Sequence, residues 1–261
     1  MRTGAVLLDT DIGSDIDDAL ALAYLLREER CELVGVTTVS GEAALRAEMV
    51  SAICRKAGRG DVPIHSGTEQ ALLVDIRQKH ASQAAALGEW PRERDYPRNT
   101  AVEFMRRTIR ERPGEITLFA IGPMTNVGLL FALDPEIPAL LKSLVLMCGR
   151  FFTEMQGEWN AINDPHATAI AYGNGCQARP PRHVSYGLDV TMQCVMSAEE
   201  CRARLTAPIL EPVLDFAEVW FRHCPHITWH DPLAVVSIFE PDLCTYRTGR
   251  VEVSLAVPTL G

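Results

Sequence analysis

The 261-residue sequence has no run of 18 apolar residues, so no segment reads as a membrane span. Its eight cysteines form no CxxC pair, which sets aside a zinc site of the usual spacing. Basic residues are short: Lys and Arg number 25 against 34 Asp and Glu, a formal charge of −9. Phosphate binding needs clustered cations, so a nucleic-acid partner is not expected. There is no internal repeat, low-complexity tract or interdomain linker. Met1 to Leu8 run into acidic residues rather than a cleavage site. No signal peptide is read there, and the thiols are expected to be reduced in a cytoplasmic protein.

What remains is the composition of an ordinary folded chain. Hydrophobic residues at 47% and charged residues at 23% argue against disorder. A chain of this size buries roughly three quarters of its unfolded surface, so a sizeable core is available. Strands are expected over 5–8, 33–39, 62–65, 116–121 and 144–147, and helices over 17–26, 42–56, 101–111 and 125–133. Further helices follow at 197–205, 209–222 and 232–239. The alternation predicts an α/β fold: a mostly parallel, Rossmann-like sheet flanked by helices, one domain over 1–261. The polar stretch 71–100 contains Pro91 and Pro97 and reads as an active-site loop or lid, or as a mobile insert. The chain stops at 254–261, just after an expected strand and with no closing helix. That is either a natural terminus or a truncation.

Four segments carry candidate chemistry. Leu7 to Leu22 holds Asp9, Asp11, Asp15, Asp17 and Asp18, just beyond the first strand. Five carboxylates within ten residues repel one another unless neutralised, and hard oxygen ligands in this number suit Ca²⁺ or Mg²⁺. The alternative is a solvated loop with a helix cap. His230-Asp231-Pro232 offers another carboxylate beside a titratable His, or simply a helix start at Pro232. The Gly122-Pro123 turn leaves the Ile121 carbonyl outside any helix ladder, free for a ligand. Glu158 and Asn160 lie two apart, so an extended segment would point both one way, towards vicinal hydroxyls.

In order along the chain, these segments resemble the inosine-uridine-preferring nucleoside hydrolase family. The family's DxDPGxDDA is matched by Asp9 to Gly13 with Asp17-Asp18-Ala19, and its Gly-Pro-Leu-Thr-Asn by Gly122 to Asn126. Its Met-Gly-Gly resembles Met147-Cys148-Gly149, and its Glu-Phe-Asn with Asp-Pro resembles Glu158 to Asn160 with Asp164-Pro165. Gly187 to Thr191 and His230 to Leu233 complete the set. The resemblance implies calcium-dependent hydrolysis of the N-glycosidic bond of ribonucleosides by a homodimer or homotetramer. Ca²⁺ would be held by Asp11, Asp18, the Ile121 carbonyl and Asp231, with Asp11 also accepting a proton from water. Asp17, Met147, Glu158 and Asn160 would contact the sugar, and His230 would face the leaving base. Glu42 stands where the family has a sugar-binding Asn. Phe221, His223, His226 and Trp229 are candidates for the base pocket.

The chain departs from the family pattern in several places. Two extra residues between Gly13 and the Asp pair let Asp15 compete for a ligand position. The first Gly of Met-Gly-Gly is Cys148, and His80 matches the family's His-Gly segment only loosely. The chain also looks short by a C-terminal strand and helix. Two other readings stay open. One is a haloacid-dehalogenase-like phosphatase, although Gly13 stands where Thr or Val belongs. The other is a catalytically silent homologue that binds a nucleoside or ribosyl ligand.

Overall fold

The computed structural model describes residues 4–152, 157–173 and 178–255. Its strands are β1 (Gly4–Thr10), β2 (Cys31–Thr38), β3 (Ile64–Ser66), β4 (Ile116–Ala120), β5 (Ser143–Met147) and β6 (His183–Tyr186). They pair in the order β3-β2-β1-β4-β5-β6, every pair parallel. This is the doubly wound order, whose switch point lies between β1 and β4. The connecting helices are α1 (Asp17–Arg27), α2 (Ala43–Lys56), α3 (Ala101–Glu111), α4 (Thr125–Leu133), the single turn α5 (Ile137–Leu140), α6 (Trp159–Asn163) and α7 (Pro165–Ala171). After β6 come α8 (Leu188–Thr191), α9 (Ala198–Arg204), α10 (Glu211–Phe221) and α11 (His230–Phe239). A small antiparallel pair, β7 (Val195–Ser197) and β8 (His226–Thr228), lies among them.

Strand alternation sorts the core onto the two faces of the sheet. Val6, Leu8, Val36, Phe119 and Val145 pack on one side with α1, α2, α10 and α11. Ala5, Leu7, Leu118, Leu144 and Leu146 pack on the other with α3, α4 and α7. Continuous apolar strands are what a sheet covered on both faces requires. The helix α1 is apolar nearly all round because it is sandwiched between the sheet, α2 and α11.

Several expectations are corrected. The segment around Glu158 is not extended: Glu158 caps α6, whose first turn contains Asn160. The last helix starts at His230, not Pro232, and Asp231 lies within its first turn. Residues 244–255 form no strand, although Val251 and Val253 pack on the second core cluster. The terminal Thr259-Leu260-Gly261 lies outside the described residues. The 71–100 stretch has one 3-10 turn, Ser82–Ala86, and runs over the C-terminal ends of β1 and β2.

Candidate active site

The acids after β1 are not solvated. Asp9, Asp11, Asp17 and Asp18 are all buried, as is Asp231 from the opposite end of the chain. Asp17, Asp18 and Asp231 each present a carboxylate oxygen within 4.8 Å of the others. The backbone N–H of Asp231 donates to Asp17 Oδ2 at 3.1 Å, which ties α11 to the start of α1. The Thr10 hydroxyl donates to Asp18. Burial and mutual repulsion push all three carboxyls well above the ordinary range. Three buried acids with only oxygen to offer form a donor set that suits a hard divalent cation, and a cation would hold them ionised.

The trio differs from the expected ligand set. Asp17, assigned to the sugar, points its carboxylate into the cluster. Asp11 stands beside the cluster, close enough to Asp18 for their charges to interact. A Cβ placed on Gly122 would meet Asp11 Oδ1 at 2.9 Å, so only glycine lets this carboxylate lie against the turn after β4. Asp15 stays outside the trio. It accepts from the Ile16 N–H at 2.6 Å, and burial raises it to about 6. Asp17 and Asp18, which open α1, are the acids that face Asp231.

The Ile121 carbonyl has one of its two lone pairs engaged. It accepts from Asn160 Nδ2 at 2.7 Å, and the same amide donates to the Met147 carbonyl at 3.1 Å. Asn160 thus staples the ends of β4 and β5. Glu158 accepts from the N–H groups of Asn160, Gly149 and Ala161 at 2.8, 3.1 and 2.9 Å. His230 contacts the Thr191 hydroxyl through Nδ1 at 2.7 Å, and burial holds its pKa down to about 4. Glu42 does not turn a carboxylate to the cluster. It accepts from the Ala81 N–H at 2.8 Å and lies 3.3 Å from His80 Nδ1. Among the base-pocket candidates, His223 and His226 are exposed, and Phe221 lies under the Arg202 guanidinium. Trp229 lines an apolar groove of about 460 Å³ between α1 and α11.

Two further residues belong to the site. Arg46 on α2 is fully buried. It donates to the carbonyls of Gly41 and Ile12 at 2.8 and 2.9 Å, to Asp11 O, to Ser14 Oγ at 3.0 Å and to His80 O at 3.2 Å. It joins three loops and sets a permanent positive charge beside Asp11 and Asp18. One signal was available, since Arg46 falls on the apolar face formed by Ala43, Ala47, Val50 and Ile53. Gln78, from the polar stretch, donates to Asp11 and accepts from Trp159 Nε1 at 2.5 Å. Nothing sets this Gln apart from its polar neighbours in the sequence.

A model of the inosine-uridine preferring nucleoside hydrolase family matches residues 6–261. The chain is 28% identical to the "Probable uridine nucleosidase 2" of Arabidopsis thaliana over 98% of its own length and 84% of that protein. It is also 28% identical to the "Pyrimidine-specific ribonucleoside hydrolase RihA" of Citrobacter koseri, over 92% of its length and 80% of the relative. The solved purine-preferring ribonucleoside hydrolase from Gardnerella vaginalis superposes with a TM-score of 0.83 at 25% identity, covering 98% of this chain and 86% of that one. With the family's acids gathered beyond the switch point of the family's fold, the chain belongs to the inosine-uridine preferring nucleoside hydrolases.

Proposed function

We propose that the protein hydrolyses the N-glycosidic bond of ribonucleosides to ribose and free base with the help of Ca²⁺. The observation that carries this reading is the convergence of Asp17, Asp18 and Asp231 in one buried oxygen cluster, with Asp11 alongside. These residues would hold the cation. When bound, it supplies Lewis-acid activation of water and a counter-charge for the buried carboxylates.

The chain's own residues account for the remaining chemistry. Asp11 accepts a proton from the attacking water as its oxygen bonds to the anomeric carbon. The bond from that carbon to the base breaks, and the base leaves with the electron pair. The transition state is oxocarbenium-like, and the anionic surroundings favour its positive charge. Direct attack by water inverts the anomeric carbon. His230 is neutral near pH 7. The Thr191 hydroxyl donates to the Gly187 carbonyl at 3.3 Å and lies 2.7 Å from His230 Nδ1, a contact that fixes the ring and leaves Nε2 for the leaving base. Met147, Glu158 and Asn160 border the sugar end. Glu158 and Asn160 hold their own turn and the two strand ends rigid, so their part is to shape the sugar site as much as to touch it. Glu42 acts on the 78–81 segment instead.

The decisive assay is release of ribose from purine and pyrimidine nucleosides with Ca²⁺ present. Release that stops on chelation and returns with Ca²⁺ is expected. A folded, Ca²⁺-binding protein that releases no ribose across the panel would be a silent nucleoside binder, and the hydrolase reading would fail.

A further inference from the structure

We propose that Gln78 is a positioning residue that fixes the Asp11 carboxylate, with Trp159 fixing Gln78 in turn. The proposal rests on the reading of Asp11 as the group that accepts the water's proton. Gln78 is buried, and both ends of its amide are used: Nε2 donates to Asp11 Oδ2, and Oε1 accepts from Trp159 Nε1 at 2.5 Å. An amide held at both ends cannot rotate without breaking a bond to a partner, so it fixes the carboxylate's orientation.

The main chain around Gln78 is equally constrained. Its carbonyl accepts from the Gly41 N–H at 3.2 Å and the Ser40 hydroxyl at 3.1 Å. Two residues on, the His80 carbonyl accepts from Arg46, and the Ala81 N–H donates to Glu42. Gln83 donates through its backbone to Gly13 O and through its side chain to Ser14 O, both at 3.0 Å. Ser40 and Glu42 hold positive φ angles of 75° and 61°, a conformation that costs non-glycine residues free energy and persists only where the surroundings enforce it. The strained turn after β2 and the β1–α1 loop therefore grip the 78–83 segment and deliver one amide to one carboxylate. Trp159 contributes from α6, where its ring is half-exposed at the site's edge. The bond to Gln78 links the sugar-side turn at Glu158–Asn160 to the carboxylate that handles the proton.

The test uses the full chain carrying Gln78→Met, which keeps the volume but has no amide, and Trp159→Phe, which keeps a ring but has no N–H. Steady-state kinetics on the best nucleoside are paired with calorimetric Ca²⁺ binding in the absence of substrate. Gln78→Met is expected to lower kcat about tenfold or more with KM within about twofold, as loss of a hydrogen bond to a charged group implies. Its Ca²⁺ affinity should weaken in a protein that still unfolds cooperatively, because Asp11 is no longer held beside Asp18. Trp159→Phe should give a smaller loss of the same kind, and the double variant should be no worse than Gln78→Met alone. Wild-type kcat and Ca²⁺ affinity in a folded Gln78→Met, or fully additive losses in the double variant, would overturn the proposal. If the parent protein releases no ribose, the hydrolase reading fails separately and the calorimetric arm decides this one.

Discussion

At the scale of single residues, the site is a problem of charge placed out of water. Five buried carboxyls share a small volume, and Arg46 is the buried guanidinium that joins their loops. Arg46→Met keeps most of the apolar stem but strips the carbonyls of Gly41, Ile12 and His80 of a donor. We expect a loss of about 3–5 kcal/mol, the range for breaking a buried charged network, read from urea unfolding. A loss under about 1 kcal/mol would show that the loops hold themselves. His230 is expected to act on the leaving group. His230→Ala should therefore slow ribose release from natural nucleosides far more than release of p-nitrophenol from its riboside, whose leaving group needs no proton. Equal losses on both substrates would remove His230 from that role.

At the scale of elements, the polar stretch 71–100 turns from an insert into a wall of the site. Its approach is so close that a Cβ on Gly41 would collide with the Lys79 backbone. Gly41→Ala should push the 78–83 segment off its seat, and limited proteolysis should then cut within 71–100 faster than in the parent protein. An unchanged cleavage rate would mean that the segment yields without detaching.

The same element shows how far the sequence could be read. The parallel sheet, α1 to α4 and α11 follow from period, because their burial pattern is written in apolar residues. The Asp-rich turn was legible as acids beyond a strand end, and Asp231 as a carboxylate beside a helix start. Short elements such as α6, α8 and β6 were not, since four or five residues carry too little periodicity to call. Gln78 was illegible for another reason. Its position depends on a backbone path through strained Ser40 and Glu42, and no local propensity encodes that path. The partners of Glu42 were illegible on the same account: this left-handed residue turns its side chain to the neighbouring segment.

At the scale of the molecule, two stability dependences follow. On β6, burial holds His183 down to about 4, below its ordinary value of 6.5. The folded state thus binds this proton less readily than the unfolded chain. The contribution is complete above about pH 6.5 and is lost as pH falls towards 4. His183→Gln should flatten that part of the stability–pH curve, and a curve parallel to wild type would exclude the residue as a cause. The second dependence is on metal. Ca²⁺ at a hundredfold over its dissociation constant should stabilise the fold by about 2.7 kcal/mol, and chelation should remove that gain. No Ca²⁺-dependent change in melting temperature would argue against a cation at the trio.

The bond from the Asp231 amide to Asp17 spans 214 positions of the chain. During synthesis, the acids that follow β1 emerge 214 residues before their partner. Until α11 docks on α1, the site has two of its three clustered carboxylates and cannot enclose an ion. Contacts between residues so far apart in sequence are expected to form late in folding. A cation held at the trio would thus report that α1 and α11 have met.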